Sequence, residues 1–391
     1  MATATSEPVR FAPPSIGPAE IAEVVATLES GWLTTGPRVK AFERAFAEYV
    51  GVPHAIALNS CTAALHLSLL ASRIGRGDDV VTTPMTFCAT ANVITHVGAR
   101  PRFADIDAHT WNLTPESAAA AMTARTRAVL PVHYAGRPVD VAGFRALTMR
   151  AGLVLIEDAA HAVEAVSRGA KIGATADLTC FSFYATKNLS TGEGGMLTTA
   201  SDELAAFARV ASLHGMSRDA WARYAGQGAA QYEVVAAGFK YNMMDLQAAI
   251  GLQQLARVDA MQAHRRALWQ RYDEGLAELP LTRPAPVSRH DVGEAAPTHA
   301  HHLYTVLVDH GLCGWTRDDL AVALRERGIA TSVHFKAVHL HRYYAERFGY
   351  RRGMFPNAEF VSDRTLSLPL SAGTDEADVD RVITVLRELV K

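Results

Sequence analysis

The stretch FSFYATKNLSTGEGG, residues 181–195, decides how this chain is read. Lys187 lies just past a strand-like run, Thr179–Phe183, and is followed by Asn188, two small hydroxylic residues and a glycine-rich turn. Ser182 precedes it by five positions, and the approach from the N-terminal side is apolar and aromatic. A lysine enclosed in this way loses solvation of its ammonium form, so its amine deprotonates more easily. A neutral amine can attack a carbonyl and form a Schiff base. The stretch therefore points to a lysine that holds pyridoxal phosphate.

Upstream of it, from about residue 52, the pattern is strand, loop, helix, repeated. Strands are expected at His54–Leu58, Val80–Thr83, Pro101–Ala104, Arg127–Val132 and Leu153–Glu157. Helices are expected over Thr62–Ala71, Phe87–Val97, near 115–123 and 139–151, and over 201–213. Before them, Pro18 opens a helix with Ile21, Val24, Val25 and Leu28 at helical spacing, and a second helix carries Val39, Phe42, Phe46 and Tyr49. The alternation implies an α/β fold with a mainly parallel sheet covered by helices on both faces. Ligands of such sheets bind beyond the carboxyl ends of the strands. Asn59, Ser60, Phe87, His133, Asp158 and Lys187 all fall there.

Downstream, Asp245–Arg271 reads as one long helix. A shift to proline and short residues near 280–300 places a domain boundary, giving a large domain at 1–280 and a smaller α+β domain at 281–391. In the latter, strands are expected at Leu303–Val308 and 330–334, and helices at 316–327, 341–347 and 375–390.

Composition sets bounds. The 391 residues carry a formal net charge of −2, with 49% hydrophobic and 20% charged residues, so no global attraction to nucleic acid or anionic membrane follows. MATATSEPVRF has no signal-peptide core, and no run is long and apolar enough to span a bilayer. A cytoplasmic location is expected. Cys61, Cys88, Cys180 and Cys313 are scattered without a CxxC pair, which suggests neither zinc nor a disulfide framework. No metal site is expected from the histidines at 299, 301, 302, 334, 339 and 341. His301 and His302 would point to opposite sides of a strand, and no carboxylate stands at ligand spacing.

Other stretches supply parts of a site, each with a plainer alternative. Asp158 ends the buried run LVLIED and could pair with a protonated pyridinium nitrogen, which keeps the ring an electron sink, or could cap a helix. NSCTAALHL (59–67) is a phosphate cradle at a helix N-terminus or an ordinary capped helix, and Ser182 could add a hydroxyl. Phe87 could stack on a pyridine face or fill the core. Asn242 and Asp245 precede a long helix and could be caps. VHFKAVHLH (333–341), with His334, Lys336 and His339, is a basic site for a diphosphate or an exposed charged loop.

Taken together, in order and spacing, SGWLTTGP, NSCTAALHL, PMTFCATAN, PVHYAGRPVD, IEDAAHAV, FSFYATKN, GFKYNMMDLQAAIG and VHFKAVHLHRYY resemble the DegT/DnrJ/EryC1/StrS family of sugar-nucleotide aminotransferases, of pyridoxal-phosphate fold type I. The resemblance covers nearly the whole chain. It implies that Lys187 is the Schiff-base lysine and proton shuttle, Asp158 the pyridinium partner, His161 the neighbour of the ring hydroxyl and Phe87 the stacking residue. Cys61, Thr62, Ala63 and Ser182 fall at the phosphate positions. Asn242 matches a residue that reaches the cofactor of the other subunit, which implies a homodimer with shared active sites. Thr34, Thr35, Tyr184, His334, Lys336 and His339 fall on the substrate side. The implied reaction takes an amino group from L-glutamate, leaving 2-oxoglutarate and pyridoxamine phosphate, and gives it to a nucleotide-linked keto sugar. PVHYAG, IEDAAHAV and KYN are similar to members acting on a UDP-linked 4-keto pentose, and FYATKNLSTGEGG to hexose-acting members. Ala165 and Cys61 stand where the family often has glycine, or for Cys61 alanine. A 4-keto sugar is favoured, with a 3-keto sugar or a non-catalytic cofactor-binding regulator as alternatives. A sugar dehydratase of the same family has histidine in place of the lysine, and Lys187 speaks against it.

Overall fold

The computed structural model describes residues 7–216, 233–287 and 297–390. Two helices open the fold, α1 (Pro18–Glu29) and α2 (Pro37–Val50), each with proline in its first turn, where the missing N–H is not needed. Then strands and helices alternate: β1 (His54–Leu58), α3 (Cys61–Ala71), β2 (Asp79–Thr82), α4 (Cys88–His96), β3 (Arg100–Phe103), α5 (Pro115–Ala121), β4 (Thr126–Leu130), α6 (Val141–Ala151) and β5 (Val154–Asp158). A small ribbon, β6 (Val166–Ser167) and β7 (Ala170–Lys171), precedes β8 (Leu178–Ser182), β9 (Gly195–Thr199) and α7 (Asp202–Ser212).

Seven strands form one sheet in the order β1-β9-β8-β5-β4-β2-β3. The pairs from β8 to β3 are parallel. The sequence reading did not anticipate β9, which runs antiparallel between β1 and β8. Two antiparallel steps return β1 to the direction of β8, so Leu58, Asp158 and Ser182 end at the same edge. Strands β2, β8 and β9 are buried along their whole length, as a sheet covered on both faces requires. One cluster on the sheet gathers Phe42, Phe46, Phe144, Phe181 and Phe183, and another gathers Ile56, Leu65, Val80, Ile156 and Leu197.

A second, two-stranded sheet pairs β10 (Tyr304–Leu307) with β11 (Thr365–Leu368). Its core joins Val306, Leu366 and Leu386 to Leu268, Trp269 and Tyr272 of the helix Val258–Gly275.

Two expectations need correction. The helix expected over Asp245–Arg271 is two helices, Asp245–Ala256 and Val258–Gly275, interrupted at Arg257 (φ −121°, ψ 11°), whose guanidinium is drawn to Glu20 and Ser15. Segment 330–334 is not a strand. Only Ser332 makes a bridge, to Ser367, and the chain then leaves the sheet toward the cavity described below. The helix expected from Pro18 is present as α1, and it buries Glu20 and Thr27 while Ile21, Val25 and Leu28 are exposed. Glu20 is held there by Gln254 Nε2 (2.6 Å) and Arg257 Nε (2.8 Å), so a charged anchor rather than the apolar stripe sets the inward face.

Candidate active site

The loop from Phe183 to Gly194 is closed on itself. Phe183 N–H donates to Gly194 O (2.9 Å), Thr191 N–H to Phe183 O (2.9 Å) and Lys187 N–H to Tyr184 O (2.8 Å). Gly195 then lies against the turn that starts α3. A Cβ at Gly195 would fall 2.4 Å from Ser60 C and 2.5 Å from Cys61 N, so the glycine lets that turn pack directly on the strand. Ser60 caps α3 by accepting from Ala63 N–H (3.1 Å). The first amides of a helix have no intrahelical acceptor, and the cap leaves those of Cys61 and Thr62 for an anion. Ala63 is buried with its amide committed to the cap, so its expected phosphate role does not fit this geometry.

Cys61, Thr62, Phe87, Asp158, His161, Ser182, Tyr184, Lys187 and His334 line one cavity of ≈ 340 Å³. Burial pushes the Lys187 amine down from the usual lysine range to about 8, against the opposing pull of Asp158 and Cys61. Burial pushes the Asp158 carboxyl up, offset by hydrogen bonds and by the charges of Lys187 and His133. Its Oδ2 accepts from Thr90 Oγ1 (2.7 Å) and its Oδ1 from Ala160 N–H (3.1 Å). Thr90 was missed in the sequence, although it lies three residues after Phe87 on the first turn of α4 and so on the same side of that helix. Phe87 is 58% exposed and lines the cavity, which rules out the core alternative for it. Burial holds His161 well below the usual histidine range and pushes His334 down to about 3, with the Lys187 charge adding to both. Phe335, also missed, packs against Phe87 (ring centroids 6.0 Å) and His161 (6.0 Å) in the same wall.

Other expected residues stand elsewhere. His339 is fully buried, with Nε2 3.0 Å from Glu359 Oε1 and its ring edge-on to Phe355. It is part of the packing and is no substrate contact. Lys336 is exposed and does not line the cavity. Thr34, Thr35 and Asn242 also lie outside it. Asn242 Nδ2 donates to Thr35 Oγ1 (2.6 Å), Thr35 Oγ1 donates to Met243 O (2.6 Å), and Asn242 Oδ1 is buried without a partner among the described residues. Asp245 does act as a cap, but of α2: its carboxylate accepts from the N–H groups of Gly36, Arg38 and Val39 (2.8–3.1 Å). His301 and His302 part as expected, without a strand to separate them. His301 packs on Trp269 and His302 on His161. Among the described residues no cluster of three His, Cys, Asp or Glu side chains could hold a metal ion.

The donor set suits pyridoxal phosphate. A half-buried amine of lowered basicity, a buried carboxylate, an aromatic ring open to the cavity and a helix N-terminus with spare amides surround one space. Comparison with known proteins agrees. The model of the DegT/DnrJ/EryC1/StrS aminotransferase family matches residues 14–387. The spore coat polysaccharide biosynthesis protein SpsC of Bacillus subtilis (strain 168) is 52% identical over 380 residues, covering 97% of this chain and 96% of that protein. Among solved structures, the putative sugar aminotransferase Spr1654 from Streptococcus pneumoniae in its PMP form superposes with a TM-score of 0.89 at 32% identity, covering 97% of this chain and 98% of its own. The aminotransferase TlmJ from Streptoalloteichus hindustanus gives 0.87 at 35%, again covering 97% and 98%. With Lys187 in the loop that follows β8 and Asp158 at the end of β5, the chain belongs to the DegT/DnrJ/EryC1/StrS family and is a pyridoxal-phosphate-dependent sugar aminotransferase.

Proposed function

We propose that the enzyme transfers the amino group of L-glutamate to a nucleotide-linked 4-keto sugar, giving an amino sugar nucleotide and 2-oxoglutarate. The observation that carries the reading is Lys187, half-buried in one cavity with Asp158, its amine brought down to about 8 by loss of solvation. Lys187 would hold the cofactor through Nζ, the amides of Cys61 and Thr62 with Ser182 would take its phosphate, and Phe87 would cover one ring face. Asp158, fixed by Thr90, would sit at the ring nitrogen. The bound cofactor supplies an electron sink for bond breaking at the substrate carbon. Lys187 Nζ removes and returns the proton at the carbon that carries the amino group, a positioned general base and acid. An amine near 8 is far closer to neutrality at physiological pH than an ordinary lysine, so it can accept that proton. Tyr184 and His334, at the cavity wall, are the substrate-side residues retained.

The reading includes a homodimer with shared sites in the cytoplasm. Its support is threefold. α1 exposes Ile21, Val25 and Leu28, Leu33 beside it is exposed too, and Asn242 with Thr35 forms a polar pair outside the chain's own cavity. None of the described helices is long and apolar enough to cross a membrane. The chain divides at 1–280 and 281–391, with the helix Val258–Gly275 lending Leu268, Trp269 and Tyr272 to the smaller unit's core. Part of the proline-rich stretch, residues 288–296, lies outside the described residues.

The test is turnover of UDP-, dTDP- and GDP-linked 4-keto and 3-keto sugars with L-glutamate, read as 2-oxoglutarate formed. A 4-keto sugar nucleotide should be used best. Exclusive use of 3-keto sugars, or of sugars without a nucleotide, would sink the assignment. For sharing, Lys187→Ala and Asn242→Ala chains are mixed. In hybrid dimers one site carries both changes and the other neither, so activity should return; none returning after proven subunit exchange counts against it.

A further inference from the structure

Behind Lys187 lies a buried chain of polar side chains that the reaction as described does not use. Arg265 and Glu164 form an ion pair with 1% and 0% of their side chains exposed. Glu164 Oε2 accepts from Asn188 Nδ2 (2.9 Å), and the same Nδ2 donates to Ala300 O (2.9 Å). Both acceptors can only accept, so the amide of Asn188 is fixed with its nitrogen toward them. Asn188 Oδ1 is then left facing His302 Nδ1 at 2.9 Å, and an amide oxygen needs a donor there. His302 must therefore carry its proton on Nδ1. Its ring packs on that of His161 with centroids 4.4 Å apart. His161 Nδ1 in turn accepts from Ala135 N–H (3.3 Å), which places the His161 proton on Nε2.

The backbone is built to keep these rings together. Gly136 (φ +95°) brings the 133–136 turn so close that a Cβ would meet His161 O at 3.0 Å and His302 N at 3.1 Å. Ala300 N–H donates to Gly136 O (2.9 Å), and His302 N–H to Ala135 O (3.2 Å). Ala135 and His301 both hold positive φ (57° and 49°) at this contact, a cost that persists only where the surroundings fix it.

We propose that Asn188 and His302 are positioning residues: the Arg265–Glu164 pair orients the Asn188 amide, Asn188 selects the Nδ1–H form of His302, and His302 packs His161 so that its Nε2–H is the donor offered to the cavity. The proposal rests on the placement of His161 beside the cofactor for its purpose, but the proton positions themselves do not depend on that placement. The residue after the Schiff-base lysine thus connects the catalytic loop to a ring on the other side of the site. A buried ion pair is a weak source of stability, and fixing one arrangement among several is the use assigned to it here.

The test is the ring-nitrogen ¹⁵N spectrum of the full chain with and without cofactor, carrying ¹⁵N-histidine, with His161→Asn and His302→Asn proteins to assign the signals. Near neutral pH, His302 should be protonated at Nδ1 and His161 at Nε2. In Asn188→Ser, His302 should lose its single form and His161 should change with it, while circular dichroism and gel filtration match the parent. An Nε2–H form of His302 in the unsubstituted chain overturns the proposal, and so do unchanged His161 and His302 signals in Asn188→Ser. If Asn188→Ser fails to fold, the proton positions in the unsubstituted chain decide alone. Correct proton positions in a protein inactive on every keto sugar would break the substrate reading and leave this one standing.

Discussion

His334 and His339 sit five residues apart in one segment, VHFKAVHLH, and end in different worlds. His334 is part of the cavity wall, bonded through Nδ1 to Ser367 Oγ (2.9 Å) and pushed down to about 3 by burial beside Lys187. His339 is sealed in a cluster with Phe355, its Nε2 on Glu359, whose carboxylate also gathers the amides of Gly353 and Phe355. Asp158, read from one stretch, and Ser182 and Lys187, read from another, converge on one space, although Asn59 and His133, also expected past strand ends, do not line it. The difference teaches where residue type and position suffice. Residues just past a buried parallel strand start at the ligand edge, and most of those singled out reach the cavity. A segment outside regular structure can turn each side chain either way.

The sharpest way to strain this contrast is at Lys187. Lys187→Ala should lower kcat by about 10²–10⁴ or more and abolish the borohydride-reducible link to the cofactor. A reducible link that survives would remove Lys187 from its role. Next in size is a pH effect on the cofactor-free protein. Because Lys187 is lowered to about 8, its modification by an amine reagent should rise about tenfold per pH unit up to that point and then level off. Surface lysines should continue rising toward 10.5. A Lys187 rate still climbing with theirs would contradict the burial argument.

The two histidines give the smaller effects. His339→Gln should cost about 1–3 kcal/mol in denaturant unfolding, as a buried carboxylate loses a partner, with kcat and KM unchanged. A raised KM at full stability would return His339 to the substrate site and break the comparison. His334→Gln should do the reverse, lowering kcat/KM by about threefold to tenfold with unfolding hardly moved.

Much of the fold was legible because its signals are local. Short apolar runs and helical spacing located β1 to β5, β8 and α1 to α7 to within a few residues. β9 was not, since Gly195–Thr199 has little to mark it until Ser60 and Cys61 are seen resting on Gly195. The inward face of α1 was not legible either. Gln254 and Arg257, more than two hundred residues away, draw Glu20 inward while Ile21, Val25 and Leu28 stay exposed. Asp245 likewise has the right chemistry for a cap, and only the fold shows that the helix it caps is α2.

The sequence by itself determined most strands of the sheet and its ligand edge, singled out Lys187 and Asp158, and through the ordered set of motifs pointed to the family. Those follow from short-range periodicity and from residue types that one chemistry requires. Tertiary structure alone decided how far the Lys187 amine is lowered, the Thr90 support of Asp158, the exile of His339 and the alignment of Asn188 with Glu164 and His302. Each of these depends on which distant groups exclude water or donate a hydrogen bond, and sequence spacing carries no record of that.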